Sequence, residues 1–332
     1  MPHSTTVNRQ ALRVASFKPT PPLWHDQVVR ASPNQVGIEV DAASVGSTDV
    51  LARRGRYLLH PRPGFVSGYD FVGTVVSSPD ARFSPGERVA AIMPRMGGHA
   101  THVAVDPTYL VRVPAQLGAE CAATIPLDGV TAKHALDMAG VSAKSILISG
   151  VSGPVGWLIA QLALSRGLRV AGTASAQYAD DLGAVGINVF DYHTPDWRQK
   201  LATECGPLDA IIDHTGDSTL RALVKPTGRI NRIAFSGTNG PTKTATFRGF
   251  ARTMFLSVAR PGERVCSTPL YAQFATAAYR RDLESVMSMV ANGALHPLPH
   301  HTYPAERVHE AFTHTQSRVK PVIVFRERTA SP

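Results

Sequence analysis

A glycine-rich turn between an apolar strand and an apolar helix is the first stretch of this sequence that could carry chemistry. The turn covers Gly150–Gly156 and directly follows a short apolar run, Ile146–Ile148. Apolar residues beyond it recur at helical spacing, and Pro154 suits a first helical turn because its missing N–H would have no partner there. Backbone N–H groups at such a helix N-terminus can hold a pyrophosphate. The stretch therefore predicts a dinucleotide site, and the alternative is a tight turn without a ligand.

The turn departs from the G-x-G-x-x-G frame at one position. Val151 occupies the first glycine position, while Gly153 and Gly156 occupy the second and third. The predicted strand before the turn and the helix after it are the context that this fingerprint requires. The residues of the turn that we predict to bind the cofactor are Gly150, Ser152, Gly153, Pro154, Val155 and Gly156.

The end of the next predicted strand bears on which nicotinamide cofactor would bind. An acidic residue at this position would hold the ribose hydroxyls of NAD. The segment from Val170 to Tyr178 contains no acidic residue, and the first one beyond it is Asp180. A carboxylate would repel the 2′-phosphate of NADPH, so its absence favours NADPH. Ser175 and Gln177 are candidate hydrogen-bond donors to that phosphate.

The cysteines and histidines do not predict a metal site. The three cysteines are scattered and form no C-x-x-C pair. His99 and His102 lie close in sequence without a third ligand nearby, so we interpret them as ordinary histidines at the surface or at the rim of a cleft. The same interpretation applies to a proline-containing segment with His296, His300 and His301. We therefore expect no metal.

The elements that must position these residues change in character near Ala119. Before it, short strands alternate with turns rich in glycine and proline, which is typical of a β-rich region. From Ala119 to about residue 235, helical patterns alternate with buried strands, and this alternation predicts parallel βαβ units. Further on, the pattern predicts helices over Phe274–Gly293 and Ala305–Gln316 and a strand over Pro321–Phe325.

The composition is that of a globular protein and narrows the function classes. The 332 residues are 43% hydrophobic and 18% charged, and no apolar run is long enough to span a membrane. The N-terminal residues lack the apolar core of a secretion signal, so we expect a cytoplasmic protein without a membrane partner. The net charge of +9 comes from dispersed basic residues, which argues against nucleic acid as a partner and fits a phosphorylated cofactor or an acidic carrier.

Ordered landmarks along about residues 10–328 resemble the medium-chain dehydrogenase/reductase superfamily, specifically its zinc-independent quinone oxidoreductase and enoyl reductase branch. The chain contains stretches similar to five motifs of that family, in the same order. Gly68–Gly73 is similar to G-x-[DE]-x-x-G, Phe83–Val89 to F-x-x-G-D-R-V, and Gly97–Val103 to G-G-x-A-E-Y. Pro126 with Thr131-Ala132 is similar to P-x-x-x-x-T-A, and Gly150–Gly156 to the cofactor loop.

The resemblance implies an α/β fold in which a Rossmann domain, a doubly wound parallel sheet that binds NADP, is inserted into a β-rich GroES-like catalytic domain. Residues 1–120 and 270–332 would form the catalytic domain, with the N- and C-terminal segments packed together. Residues 121–269 would form the Rossmann domain. Because this family commonly pairs the edge strands of two Rossmann domains, we also expect a homodimer.

The resemblance further implies roles for residues of the catalytic domain. Where alcohol dehydrogenases of the superfamily bind zinc through Cys, His and Cys, this chain has Gly46, Tyr69 and Leu127, which are poor zinc ligands. Tyr57 matches a tyrosine that lines the substrate pocket, where its phenol would either hydrogen-bond the substrate carbonyl or pack within its loop. Tyr69 would face the same cleft, and Gly46 and Ser47 would line the pocket.

Asp128 and several other residues would lie around the cofactor. Asp128 is expected beside the nicotinamide, as a proton relay or as a capped turn. Its carboxylate and the phenols of Tyr57 and Tyr69 are the candidate catalytic groups. The family's cofactor contacts carry over to Thr131, Tyr192, Ser236, Thr238 and Lys320, in addition to Ser175 and the glycine turn.

Without a metal to polarise an alcohol oxygen, hydride donation to an activated C=C bond is the chemistry that the residues favour. An enone or quinone disperses the negative charge into its own carbonyl, and the protein supplies orientation and a hydrogen bond. We therefore expect an NADPH-dependent reductase of an enone, a quinone or a polyketide-like enoyl intermediate. The alternatives are a zinc-free dehydrogenase, a cyclising or carbonyl-reducing enzyme, and a cofactor-binding protein without turnover.

Overall fold

The structure is a computed structural model that divides the chain into two compact units. It describes residues 6–17, 23–60, 62–233, 248, 251, 255, 258–260, 262–314 and 318–325. One unit contains Met1–Val130 and Thr268–Pro332, and the other contains Thr131–Ser267. The predicted domain limits, after residues 120 and 269, stay a prediction.

The described strands and helices follow one another along the chain as follows. The strands are β1 (Thr6–Val14), β2 (Leu23–Arg30), β3 (Val36–Ser44), β4 (Phe65–Val66), β5 (Asp70–Ser77), β6 (Arg88–Ile92), β7 (His102–Val105), β8 (Val111–Arg112), β9 (Ser145–Ile148), β10 (Arg169–Ala174), β11 (Ile187–Asp191), β12 (Leu208–Asp213), β13 (Val224–Ile233), β14 (Glu263–Cys266), β15 (His300–Pro304) and β16 (Lys320–Val324). The α-helices are α1 (Ser47–Arg53), α2 (Ala119–Ala122), α3 (Asp128–Ala139), α4 (Pro154–Ser165), α5 (Ala179–Gly183), α6 (Trp197–Cys205), α7 (Thr268–Phe274), α8 (Thr276–Ala291) and α9 (Val308–Thr313).

The unit that contains both chain ends, which we call the β-rich unit, is built on two sheets. A three-stranded antiparallel sheet has the order β2-β1-β4. A larger sheet has the order β15-β16-β3-β5-β6-β8, with β7 also paired to β3. The C-terminal β16 pairs antiparallel with β3, through registers such as Val322 with Ser44. β3 and β16, which are far apart in sequence, therefore belong to one sheet. Without β16, part of the edge of β3 would be left unpaired.

The unit formed by Thr131–Ser267, which we call the Rossmann unit, contains a six-stranded sheet in which every pair is parallel. Its order is β11-β10-β9-β12-β13-β14, so the chain starts in the centre, winds to one edge and then crosses to the other. Ile146, Leu147 and Ile148 of the central β9 are fully buried, as expected for a strand covered on both faces. The predicted doubly wound parallel sheet is confirmed, and the winding reverses at β9.

Two predicted helices differ in extent from the structure. The helix predicted over Phe274–Gly293 is α8, which begins two residues later, at Thr276, because Ala275 leaves helical geometry with φ −134° and ψ 46° and separates it from α7. The helix predicted over Ala305–Gln316 begins as a 3₁₀ turn and continues as α9, which ends at Thr313. No residue type at Ala275 forbids a continuous helix, so the break is a tertiary effect.

Within the described part of the chain, the longest helix is α8, which has 16 residues and polar groups on one face. No described helix combines the length and the apolar character that a bilayer crossing requires.

Candidate functional site

The glycine turn lies where the parallel sheet reverses its winding. Gly150 follows β9 with φ +68°, a conformation that side chains disfavour, and Gly153 is the N-cap of α4 with Pro154 as the first helical residue. A Cβ on Gly156 would lie 2.3 Å from the carbonyl oxygen of Gly150, so only glycine lets the helix approach the turn. Ser152, Gly153, Pro154 and Val155 remain partly exposed on this surface. The geometry fits a pyrophosphate at the N-terminus of α4.

Val151, at the first glycine position of the fingerprint, is accommodated by a glycine on the neighbouring strand. Its side chain is fully buried, and its Cγ1 lies 2.4 Å from where a Cβ on Gly172 of β10 would be. The backbone N–H of Val151 donates to the carbonyl of Thr173, also on β10. Gly172 therefore supplies the space that the missing glycine would have left, and the turn keeps its shape.

A hydrogen-bonded network joins the carboxyl ends of the two central strands next to this turn. Ser149 donates its hydroxyl to Asp213 Oδ1 over 3.2 Å, and the N–H of His214 donates to Ser149 Oγ over 2.6 Å. Asp213 also accepts from the backbone N–H groups of Thr215 and Gly216. Sequence reasoning did not single out Asp213, although a carboxylate that ends an apolar strand is a signal that could have found it.

Ser175 and Tyr192, two of the predicted cofactor residues, are brought together at the ends of β10 and β11. Their hydroxyl oxygens lie 3.1 Å apart, and the Tyr192 ring packs against His193 with centroids 4.3 Å apart. Tyr192 is 49% exposed, so its hydroxyl is accessible to a ligand. Thr131, at the start of the Rossmann unit, is buried in α3. The predicted cofactor residues Ser236 and Thr238 lie outside the described residues.

The positions that correspond to zinc ligands do not form a zinc site. Gly46 is the N-cap of α1 and has no side chain, and Leu127 is buried and apolar. The Tyr69 hydroxyl donates to the hydroxyl of Tyr57 over 3.0 Å. Among the described residues, no three His, Cys, Asp or Glu side chains are grouped closely enough to hold a metal. This donor set does not fit a zinc ion, which needs three or four nitrogen, sulfur or carboxylate ligands.

Tyr57 and Tyr69 belong to a buried aromatic cluster in the β-rich unit. The two rings meet edge to face with centroids 6.0 Å apart, and His60 stacks on Tyr57 and contacts Phe65. Burial raises the pKa of both phenols well above the usual value, and the nearby carboxylate of Asp49 adds to this. Both phenols therefore stay protonated and can act as hydrogen-bond donors at any physiological pH.

A buried group of charged side chains surrounds Gly46 in the same unit. Lys320 Nζ donates to Asp128 Oδ2 over 2.6 Å, and both side chains are less than 10% exposed. Asp49 accepts from the backbone N–H groups of Gly46 and Gly68, over 2.8 and 3.0 Å. Asp70 accepts from Ser44 Oγ over 2.8 Å, and burial raises the pKa of its carboxyl well above the usual value. Ser47, predicted to line the pocket, is exposed.

Asp70 and His99 are two buried polar residues of this unit that sequence reasoning missed or misplaced. Asp70 begins an otherwise apolar strand, which is a signal for a buried carboxylate. His99, predicted to lie at the surface or at a cleft rim, is fully buried, and that prediction was wrong. Its ring nitrogens lie 2.9 Å from Ser67 Oγ and from the Ser44 carbonyl oxygen, and burial lowers its pKa, so the ring is neutral and structural.

Two family descriptions match separate stretches of the chain. Residues 32–119 match the alcohol dehydrogenase GroES-like domain, and residues 185–320 match the family described as zinc-binding dehydrogenase. Quinone oxidoreductase from Lama guanicoe is 26% identical over 312 residues, which cover 88% of this chain and 89% of that protein.

A second relative and a solved structure extend the comparison. Polyketide synthase GfsB from Streptomyces halstedii is 28% identical over 302 residues, which cover 88% of this chain. The chain spans only 5% of the length of that synthase. The crystal structure of CurK enoyl reductase superposes with a TM-score of 0.78 at 20% identity, covering 95% of this chain and 99% of the other. This likeness shows a shared fold.

Proposed function

The chain belongs to the medium-chain dehydrogenase/reductase superfamily, in its zinc-independent quinone oxidoreductase and enoyl reductase branch, and we propose that it reduces an activated C=C bond with NADPH. The proposal rests on Gly46, Tyr69 and Leu127, which occupy the positions of the zinc ligands and do not bind zinc. The same chain contains the glycine turn that would bind the cofactor. A dehydrogenase of alcohols would need an electrophile that these three residues do not provide.

The residues of the Rossmann unit support NADPH as the cofactor. The N-terminus of α4 and the glycine turn would hold the pyrophosphate. β10 ends at Ala174 without a carboxylate, and the Ser175 and Tyr192 hydroxyls next to it are neutral donors suited to a 2′-phosphate. When bound, the reduced nicotinamide supplies a hydride. The predicted contacts of Thr131, Ser236 and Thr238 with the cofactor are part of this proposal, whereas Lys320 is buried in an ion pair with Asp128.

The reduction of an enone or quinone adds one hydride and one proton to the substrate. Hydride addition at the β carbon moves the C=C electron pair toward the carbonyl oxygen, and a proton from water or an acid then completes the product at the α carbon. The protein must therefore stabilise an enolate oxygen. Tyr57 is our candidate donor, because the family resemblance places its phenol in the substrate pocket and Tyr69 donates a hydrogen bond to its oxygen. Asp128 is the candidate proton relay.

A panel of acceptors tests the proposal. Purified protein is mixed with NADPH or NADH and an enone (3-penten-2-one), an enoyl thioester (crotonyl-N-acetylcysteamine) or 1,4-benzoquinone, and alcohols are tested with NADP⁺. We expect NADPH oxidation with at least one acceptor class and kcat/KM for NADPH at least about tenfold above that for NADH. The similarity to a polyketide synthase makes the thioester the acceptor of most interest. Alcohol oxidation without reduction of any acceptor would contradict the proposal, and cofactor binding without turnover would indicate a non-catalytic protein.

We also propose a cytoplasmic homodimer. In the Rossmann unit β14 is an edge strand that pairs only with β13 among the described strands, so its outer edge is a candidate for pairing with a second copy. Light scattering coupled to size exclusion measures the molar mass: about twice the 35.5 kDa of the chain is expected for a dimer.

A further inference from the structure

Two polar groups near Gly46 are buried and have hydrogen-bonding capacity that no described residue uses. Lys320 Nζ carries three protons, and its hydrogen bond to Asp128 is the one it makes within the described part of the chain. Thr48 Oγ1 is a buried atom without a hydrogen-bond partner among the described residues. Lys320 is 4% exposed. Because buried polar groups left unpaired are strongly disfavoured, this arrangement indicates a polar ligand atom beside them.

Gly46 leaves the space in which such a ligand atom would lie. A Cβ built on Gly46 would lie 3.3 Å from Thr48 Oγ1, 3.5 Å from Asp49 Oδ2 and 3.6 Å from Lys320 Nζ. Asp49 Oδ2 already accepts from the Gly46 N–H, so the groups on this side with hydrogens to donate are the ammonium and the hydroxyl. Two converging donors, one of them a cation, fit an oxygen atom that carries negative charge.

We propose that the Lys320 ammonium stabilises the negative charge that develops on the substrate's carbonyl oxygen, with the Thr48 hydroxyl as the second donor beside Gly46. This inference rests on the proposed reductase function and deepens it. Asp128 follows Leu127, and Asp70 follows Tyr69. The segments around Gly46, Tyr69 and Leu127, the three positions of the zinc ligands, thus lie around the Lys320 ammonium. These residues cannot bind a zinc ion, and the lysine supplies a positive charge in its place.

The neighbouring carboxylates keep Lys320 charged and fixed in place. Burial alone would lower the pKa of Lys320, but the carboxylates of Asp128 and Asp70, with a smaller contribution from Asp49, outweigh burial and raise it. The ammonium keeps its protons throughout the reaction. The C=C electron pair moves to the carbonyl oxygen as the hydride arrives, the ammonium stabilises the enolate, and water supplies the proton that ends at the α carbon.

Removal of the ammonium tests this role. Lys320→Met alone leaves Asp128 buried without a partner and endangers folding. The double variant Lys320→Met/Asp128→Asn removes both charges and keeps the volume, and Asp128→Asn alone measures the share of the loss that comes from the candidate proton relay. With saturating NADPH and 3-penten-2-one, we expect its kcat to fall about 10²–10³-fold, the loss typical of a missing oxyanion donor. The NADPH dissociation constant, measured by fluorescence, should change by less than about threefold. Lys225→Met, which breaks an exposed pair with Asp209 of the same 2.6 Å length, is the control and should leave kcat unchanged.

Chemical rescue separates the proposed role from a structural one. In Lys320→Ala/Asp128→Asn, added ethylammonium should restore part of kcat, whereas it should have no effect on the wild type or on Lys225→Ala. If the wild type is an active reductase, a double variant with undiminished kcat would overturn the inference. This holds in two cases: NADPH affinity is also unchanged, or NADPH affinity is much weaker. The second case would assign Lys320 to the cofactor instead. A wild type that reduces no acceptor would refute the proposed function itself.

Discussion

At the scale of single residues, the candidate catalytic groups of this protein are buried polar side chains. A tyrosine and a glycine stand at positions where relatives with zinc have ligands, and Tyr69 is held by a hydrogen bond to Tyr57. Both phenols are almost fully buried, so their hydrogen bonds form in surroundings of low polarity and are correspondingly strong. The pair therefore gives the β-rich unit a fixed neutral donor beside the charged group around Gly46.

The tyrosine pair leads to a prediction about the rate of reduction. Tyr57→Phe removes the candidate donor to the substrate oxygen, and we expect kcat/KM with 3-penten-2-one to fall about 10²-fold. Tyr69→Phe removes only the hydrogen bond that orients Tyr57, and a loss of about tenfold is expected. Because burial raises the pKa of both phenols, the activity of the wild type should show no tyrosine titration below about pH 9.

A control variant removes a hydrogen-bonded phenol that is only partly buried. Tyr271→Phe removes a hydroxyl that donates to Asp282 over 2.9 Å between α7 and α8, and it should leave kcat/KM unchanged. Equal activity of Tyr57→Phe and Tyr271→Phe would mean that Tyr57 only packs in its loop.

At the scale of elements, the strand, turn and helix around Gly150–Gly156 form the proposed cofactor site. The close approach of α4 to the turn depends on Gly156. The turn packs against β10 because the Val151 side chain fills the space next to Gly172. A valine on the turn is thus matched by a glycine on the neighbouring strand. The helix N-terminus is left partly exposed for a ligand.

Two alanine substitutions in the turn should separate folding from cofactor binding. In Gly156→Ala the new Cβ would lie 2.3 Å from the Gly150 oxygen, and we expect the free energy of unfolding to fall by about 3 kcal/mol. In Gly153→Ala the nearest atom would be 3.4 Å away, an ordinary contact, so the protein should fold normally. Its methyl group would fill the space at the helix N-terminus, and NADPH affinity should fall at least about tenfold.

Gly183→Ala on α5 is the control for these substitutions, because no atom lies within 4 Å of its Cβ position. It should leave NADPH affinity unchanged and stabilise the protein slightly, by about 0.5 kcal/mol. Denaturant unfolding and NADPH fluorescence titration measure the two properties. Wild-type NADPH affinity in Gly153→Ala would show that the turn does not hold the pyrophosphate.

At the scale of the whole molecule, stability depends on contacts between segments that are far apart in sequence. β16, from the end of the chain, completes the sheet that β3 begins, and Lys320 at its first position pairs with Asp128 from the middle of the chain. In the Rossmann unit, Asp209 joins three strands: it accepts from Lys144 N, from Ser145 and from Lys225 Nζ. Buried Arg232 pairs with both Asp213 and Glu263.

Asp209 gives the protein a predictable loss of stability in acid. Burial would raise the pKa of its carboxyl, but the hydrogen bonds from Lys225, Lys144 and Ser145 outweigh burial and lower it to about 2. An unfolded aspartate titrates near pH 3.9, so the stabilisation is complete above about pH 4 and is lost as the pH falls toward 2. In Asp209→Asn, we expect the free energy of unfolding at pH 7 to be lower by about 1–2 kcal/mol.

Urea unfolding at several pH values tests this prediction. The difference between the wild type and Asp209→Asn should shrink between pH 4 and pH 2, because the wild type then loses the charge that the variant lacks. Asp181→Asn, at an exposed position of α5, should differ from the wild type by less than about 0.5 kcal/mol at every pH. A constant difference between the wild type and Asp209→Asn down to pH 2 would contradict the assignment.

The sequence by itself determined the parts of this protein that depend on local patterns. The parallel sheet follows from the alternation of apolar strands and helices, and the position of the cofactor turn follows from glycines and a proline placed between β9 and α4. The missing zinc ligands are also a matter of residue type alone. These features could be predicted because each is encoded within a few neighbouring residues.

Only the tertiary structure decided which polar residues meet. Lys320 and Asp128 are 192 positions apart, and their ion pair exists because β16 folds back onto β3 near the start of α3. The burial of His99, the compensation of Val151 by Gly172 and the break between α7 and α8 likewise depend on neighbours that are distant in sequence or on packing. Periodicity and motif spacing describe a residue's own segment, whereas burial and pairing depend on what the rest of the chain places against it.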